Sequence, residues 1–377
     1  MNIKNKRNSN FELMRILSMM MIILWHIIIH GNVLTNCNNT ILRTVLEILQ
    51  FLLIVHVNSF IMVSGYFQST IKFKMSKLIK NINLCWFYRI LILTLLTIFR
   101  IWQPTSLDIF QQTFIIDLGV YWFMDIFIFL YCLSPFLNIL ISKLSKKDSQ
   151  KFLLVLFLLF SVIPYLTGHK AFANNGYTLY NFIFVYFLGA YLHKYPFTKE
   201  SKIKNLTLRK KRLLYFSLFF ILGIFHYLLT KTASHMPTTN LLSAELSANI
   251  LVSSLSYSNP IVILQTIFYF LFFETLSFQN KFINRISALT IGVYLIHDHP
   301  AIRGNLYHWL KIDDRIIYSF RFIFYILICV LLIFVLCAII EWIRQVLFKF
   351  ISNLKISKWW QKTYRKQIDK LGLEINW

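Results

Sequence analysis

The stretch LMRILSMMMIILWHIIIH, residues 13–30, decides the class of fold. As an α-helix it rises 1.5 Å per residue and reaches about 27 Å, close to the roughly 30 Å hydrocarbon core of a bilayer. The sequence therefore predicts that these residues cross a membrane as a helix. Lys4, Lys6 and Arg7 precede the stretch as in a secretory signal, but no small-residue cleavage site follows, so we expect it to stay as the first span.

The rest of the chain repeats this pattern of long apolar stretches. Of the 377 residues, 57% are hydrophobic and 14% are charged, whereas soluble domains are about 45–50% apolar. We expect spans near residues 13–30, 46–67, 82–101, 118–141, 152–167, 177–193, 213–230, 259–276, 285–300 and 317–341. The predicted fold is an all-α, polytopic membrane helix bundle of about ten transmembrane helices. The two short spans, at 152–167 and 285–300, could be tilted, kinked at Pro164 or partly re-entrant, so the count ranges from nine to eleven.

The formal net charge of +24 is divided unevenly between alternate loops. Both tails and every second loop together hold 29 lysines and arginines, and the intervening loops hold six. Cytoplasmic segments of membrane proteins are enriched in these residues, so the N- and C-termini are both predicted to be cytoplasmic. This topology accounts for most of the charge, and no nucleic-acid partner is needed to explain it.

Two regions are expected along the chain. Residues 1–344 are predicted to form a membrane-embedded domain, and residues 345–377 a basic tail. Trp359 and Trp360 in that tail favour an amphipathic helix at the inner interface. The five cysteines lie mostly within predicted spans, so we expect neither a disulfide framework nor a zinc site.

Ionisable residues inside spans are the first candidates for function, because inserting one costs roughly 2.5–3.5 kcal/mol on insertion scales. They are Arg15, His26, His56, Arg89, Asp125, Glu274, His297, Asp298 and Arg321. Asp125 needs a partner at its depth in the membrane, and Arg100, Arg321 or His26 are the expected ones.

Arg15 and His26 stand on one face of the first span. Their separation of eleven residues turns a helix through about 1100°, only about 20° beyond three full turns, and separates them by about 16 Å. Glu12, one turn before Arg15, is expected to pair with it. A structural, hydrogen-bonded role for His26 is an equally open interpretation, whereas a metal site with His30 is less favoured, because two ligands do not close a shell.

The segment Leu289 to Ile302, reading LTIGVYLIHDHPAI, ends the ninth predicted span. It places His297 at the exterior mouth, where His26 and His297 could meet over one site. The alternative is that His297 only caps a helix end at the interface, where polar residues cost little.

Several short motifs resemble the membrane-bound acyltransferase 3 family over Asn10 to about Arg344. The most specific is NFELMR ending at Arg15, with His26 eleven residues later. Weaker matches are SGYF at residues 64–67, YWF at 121–123, LSPFLN at 133–138, GAY at 189–191 and GVYLIH at 292–297.

The resemblance implies a bacterial cytoplasmic-membrane protein that transfers an acyl group, expected to be acetyl, from cytoplasmic acyl-coenzyme A to an exported glycan or its lipid-linked precursor. Membrane lipid, acyl-coenzyme A and this acceptor are the expected partners, and no cofactor is expected to be bound permanently. His26 and His297 are the implied catalytic residues, and Arg15 with Glu12 would bind the donor. Supporting roles are expected for Asp125, Trp122, Tyr294 and Arg321.

Histidine suits this chemistry because a sugar hydroxyl is a poor nucleophile at neutral pH and needs a positioned base. One departure from the family concerns the second cytoplasmic loop, where this chain has lysines (Lys72, Lys74, Lys77 and Lys80) instead of a bidentate arginine grip.

Two other functions remain open on the sequence. In a glycolipid or polysaccharide transporter or flippase, His26, Asp125 and Arg321 would line a path rather than a reaction centre. A glycan polymerase or ligase is weaker, because such proteins usually carry a large exterior loop with arginines, and residues 231–259 contain none.

Overall fold

The computed structural model describes residues 8–113, 119–168, 174–197, 202–236, 241–313 and 315–353. Within these ranges the regular structure is helical, apart from one isolated bridge between Cys37 and Ile317. The predicted all-α class is therefore confirmed.

The first span is helix α1, Ser9–His30, and it is followed by α2, Thr40–Leu53, and α3, His56–Gln68. Helices α2 and α3 continue each other as one apolar stretch of 29 residues with a break at residues 54–55. Asn39 caps α2, because its side chain accepts a hydrogen bond from the backbone N–H of Leu42. The break places His56 at the first position of α3, in the interior of the protein.

The remaining helices follow in chain order. They are α4 Met75–Ile98, α5 Ser106–Thr113, α6 Trp122–Lys143, α7 Lys146–Phe157, α8 Ile163–Thr167, α9 Leu179–Lys194, α10 Leu208–Ser234, α11 Leu241–Val252, α12 Pro260–Glu274, α13 Lys281–Ser287, α14 Thr290–His297, α15 Pro300–Trp309 and α16 Arg321–Asn353.

Seven helical stretches in the described ranges are long and apolar enough to cross a membrane, so this is a multi-pass membrane protein. Three of the ten predicted spans differ from the prediction. The spans expected at 177–193 and 259–276 are the 16-residue α9 and the 15-residue α12, both shorter than the roughly 20 residues of a typical crossing. The span expected at 285–300 is divided among short helices, α13, α14 and the start of α15.

The span around Pro164 contains a helical irregularity, and a kink at this proline was one of the alternatives open on the sequence. A π-helical turn, Leu158–Val162, joins α7 to α8 immediately before the proline. Proline cannot donate the usual helical hydrogen bond and its ring crowds the carbonyl four residues earlier, so a wider turn accommodates it.

Two of the short family motifs form a close helix crossing. A Cβ atom at Gly65 of α3 would overlap the carbonyl oxygen of Tyr186, and one at Gly189 of α9 would overlap that of Met62. Only glycine lets the two backbones approach this closely. Helix α16 continues past residue 344 to Asn353, and the rest of the tail predicted at 345–377 lies outside the described residues.

Candidate active site

The candidate site lies where the long helix α1 meets the junction of two short helices. Helix α14 ends at His297 and α15 begins at Pro300, a favoured first residue because its missing N–H would have no helical partner. Asp298 and His299 form the connection, and both side chains are buried. The chain therefore brings three consecutive polar residues into the interior without interrupting a long helix.

Asp298 joins His26 to Arg303. Its Oδ1 atom lies 3.4 Å from Nδ1 of His26 and 3.0 Å from Nη1 of Arg303. The carboxylate side chain is only 2% exposed, whereas that of Arg303 is 34% exposed. No hydrogen bond to Nδ1 of His26 forms among the described residues, so the contact with Asp298 is electrostatic, and a carboxylate at this distance favours the protonated imidazole.

Two further histidines surround His26. The ring centroids of His30 and His297 lie 5.3 Å and 5.4 Å from that of His26. His297 donates from Nδ1 to the carbonyl oxygen of Val293 at 2.6 Å, and its buried Nε2 has no hydrogen-bond partner among the described residues. His26 and His297 therefore lie side by side, with His297 held by its own helix, and their catalytic roles stay a prediction.

A cavity of about 240 Å³ opens beside these groups. His26, Asp298 and Arg303 line it on the polar side, and His297 stands behind His26 outside the lining. Other lining residues include His30, His56, Trp25, Trp122, Tyr177, Tyr257 and Tyr294. This mixture of aromatic rings with a few convergent polar groups is typical of a small-molecule site.

Aromatic rings form one wall of the cavity. The centroids of Trp122 and Tyr177 are 4.4 Å apart, and Tyr257 lies 5.9 Å from Trp122 and 5.1 Å from Tyr177. Tyr177 is 42% exposed, so this wall reaches the surface. The cavity therefore has an accessible aromatic face in addition to its polar residues.

Arg15 lies at the other end of the same helix and pairs with Glu12. Their charged atoms are 3.1 Å apart, and Glu12 also accepts a hydrogen bond from the hydroxyl of Ser287 on α13. The predicted pair is present, and Arg15 does not line the cavity around His26. Its side chain is 28% exposed, and a role in donor binding stays a prediction.

Asp125 pairs with a residue other than the three that were predicted. The expected partners were Arg100, Arg321 or His26, but Oδ1 of Asp125 lies 3.5 Å from Nη2 of Arg89 on α4. Arg89 is 1% exposed, so the pair is buried between α4 and α6. Arg321 is exposed at the first residue of α16 and does not line the cavity.

The sequence indicated no specific role for several polar and aromatic cavity residues. They include Arg303, Tyr177 and Tyr257, and also His56, which was recognised only as an ionisable residue within a span. His56 contacts the carbonyl oxygen of Leu53 through Nδ1 at 2.7 Å, and its Nε2 lies 3.4 Å from the hydroxyl of Tyr257. Arg303 follows His297 and Asp298 in the same mouth segment, and this proximity is the one signal that could have identified it. The two tyrosines lie in loops without a recognisable pattern.

Fold and site together define a multi-pass membrane protein in which a histidine and a buried carboxylate lie side by side at a cavity. Residues 8–353 match the family model of the acyltransferase 3 group, described as an acyltransferase domain. The chain belongs to this family, which confirms the resemblance, and it is accordingly an acyltransferase. Among curated proteins and among solved structures, none matches it significantly.

Proposed function

We propose that this protein transfers an acetyl group from cytoplasmic acetyl-coenzyme A to a hydroxyl group of an exported or cell-surface glycan. The observation that carries the proposal is the buried Asp298 carboxylate between His26 and Arg303 at the wall of the cavity. A general base needs a neighbour that stabilises its protonated form and access to the substrate, and His26 both lies 3.4 Å from the Asp298 carboxylate and lines the cavity.

In the proposed reaction, Nε2 of His26 takes the proton of the acceptor hydroxyl. The hydroxyl oxygen then attacks the thioester carbonyl carbon, and the tetrahedral intermediate collapses with cleavage of the carbon–sulfur bond. The departing thiolate receives the proton from His26 and leaves as coenzyme A. Asp298 stabilises the imidazolium that exists between the two proton transfers, and Arg303 holds Asp298 in place.

The donor would enter from the basic side of the membrane. Arg15 is suited to a phosphate of coenzyme A, because its guanidinium is partly exposed beside Glu12 and a planar guanidinium forms paired hydrogen bonds to oxyanions. About 16 Å of helix separates it from His26, and the extended pantetheine arm of coenzyme A can bridge such a distance. The acceptor would lie against the aromatic wall of Trp122, Tyr177 and Tyr257 on the other side.

The test uses membrane vesicles with the basic side outward and radiolabelled acetyl-coenzyme A. Vesicles with the wild-type protein are expected to label a glycan fraction, and vesicles with His26→Ala are not. His308→Ala is the matched control, because this histidine also pairs with an aspartate but its side chain is 68% exposed. Absence of labelled glycan with every acyl donor tested would reject the proposal and favour transport.

A further inference from the structure

A second and larger cavity lies on the opposite face of helix α1 from the candidate active site. It measures about 560 Å³, and its lining is apolar except for the hydroxyl of Tyr269. The lining residues are Leu17, Met20, Met21, Leu24, Leu49, Leu52, Leu53, Phe216, Phe219, Phe220, Tyr269, Phe272, Phe273, Leu327, Val330 and Leu331. We call this cavity the apolar cleft.

The apolar cleft is continuous with the lipid-facing surface of the protein. Leu17, Phe216 and Leu331 line it and are respectively 38%, 46% and 51% exposed. These residues belong to three of the long membrane spans, so the opening faces the hydrocarbon of the bilayer. Water finds almost no hydrogen-bond partners in this space, whereas a hydrocarbon chain needs none.

Four consecutive basic residues stand at one end of the cleft. Helix α10 begins with Leu208 and continues as Arg209, Lys210, Lys211 and Arg212, one turn before Phe216. Viewed along the helix axis, Phe216 and Phe219 lie within about 40° of Arg212. Arg209 lies about 60° from Arg212. The two arginines therefore share the face of α10 that forms the wall of the cleft.

Arg212 is tied to this end of the cleft by a direct contact. Its Nη2 donates to the carbonyl oxygen of Thr275 at 3.0 Å, immediately after the cleft residues Phe272 and Phe273 on α12. Its buried Nε has no hydrogen-bond partner among the described residues. Glu274 contributes one negative charge here against four positive ones, so the end of the cleft is basic.

We propose that the apolar cleft binds an anionic phospholipid from the leaflet on the basic side of the protein. An acyl chain would occupy the cleft, and the headgroup phosphate would contact Arg209 and Arg212. Charge complementarity selects this occupant, because anionic headgroups are attracted to arginines at the membrane surface while the chain stays in the hydrocarbon region. The site is separate from the cavity around His26, since α1 stands between them.

The test titrates delipidated, detergent-solubilised full-length protein with phosphatidylglycerol and with phosphatidylcholine, and counts bound lipid by native mass spectrometry. The wild-type protein is expected to bind one phosphatidylglycerol in preference to phosphatidylcholine. Arg209→Ala combined with Arg212→Ala should weaken phosphatidylglycerol binding about 30-fold. Lys210→Ala is the charge control, because this exposed residue lies about 160° from Arg212 and should change binding about fivefold at most.

A second pair of variants tests the cleft itself. Leu331→Trp places a large ring at its opening and should reduce binding of both lipids, whereas Leu332→Trp alters an exposed neighbour outside the lining and should not. The proposal fails if the double arginine variant binds phosphatidylglycerol as tightly as Lys210→Ala does. It also fails if Leu331→Trp binds lipid like Leu332→Trp. Neither readout depends on acyl transfer.

Discussion

Replacing Asp298 with asparagine isolates the charge of the carboxylate from its shape. Asparagine has the same size and can still accept a hydrogen bond from Arg303, so the local packing should survive. What disappears is the attraction between the carboxylate and the imidazolium that His26 becomes during the reaction. The protein should therefore fold and bind acetyl-coenzyme A, while the chemical step slows.

The size of the effect follows from the 3.4 Å separation of the two charged atoms. At an effective dielectric constant of about 20, two unit charges at this distance attract by about 5 kcal/mol. Arg303 touches the same oxygen at 3.0 Å and opposes the imidazolium charge, so part of this attraction is cancelled. Retaining between half and all of it gives a loss in kcat of about 60- to 4,000-fold.

The assay compares kcat for acyl transfer, donor affinity and melting temperature in detergent. Asp313→Asn is the control, because Asp313 also faces a histidine, with 3.7 Å between its Oδ2 and Nδ1 of His308, outside the cavity. Its kcat should stay within twofold of the wild-type value. A fully active Asp298→Asn enzyme would falsify the role assigned to this carboxylate, and an unfolded one would show that the charge holds the helices together instead.

Three further predictions follow from the same contacts. His26→Ala should lower the transfer rate about 10²–10⁴-fold with little change in donor binding, and His26→Gln should not restore it; recovery of folded protein by glutamine would indicate a structural histidine. Arg15→Ala should weaken binding of acetyl-coenzyme A, measured by calorimetry, and Arg15→Lys should restore only part of it, since a point charge replaces a planar fork; equal binding by all three proteins would contradict the donor role. Asp125→Leu should destabilise the protein by about 3–5 kcal/mol because Arg89 loses its carboxylate, and Asp125→Asn should be milder; equal melting temperatures would exclude this explanation.

The long helices were predictable because twenty consecutive apolar residues have few alternatives to crossing a bilayer. The first span follows directly from this pattern. The irregularity in the span at 152–167 lies at Pro164, because proline disturbs the helical hydrogen bonds. The segment at 285–300 could not be interpreted in the same way. Its composition suits a span, but the two short helices α13 and α14 are set by tertiary contacts, including the side chain of Glu341 that occupies the space beside Gly292.

Polar partners inside the membrane were harder to predict than the residues that needed them. The sequence indicates that His26, His297 and Asp125 require explanation, since each is expensive to insert. It does not indicate which helix supplies the partner, because that depends on the rotation of one helix against another. Arg89 and Asp298 were both recognised as ionisable, yet pairing Arg89 with Asp125, and Asp298 with His26, needs the packing of α4 on α6 and of α1 on α14.

In the proposed reaction, the charges around the cavity would allow a histidine to act as a base in a buried place. Asp298 and Arg303 form a pair with no net charge, so His26 can rest uncharged without a buried counterion left over. When His26 takes a proton, the new positive charge appears beside the carboxylate, and the developing negative charge appears on the substrate oxygen in the cavity. For an isolated histidine, forming the imidazolium and the substrate oxyanion in a medium of low dielectric constant would cost much free energy. The pre-positioned Asp298 removes much of that cost, because its dipole with Arg303 is already oriented before the proton moves.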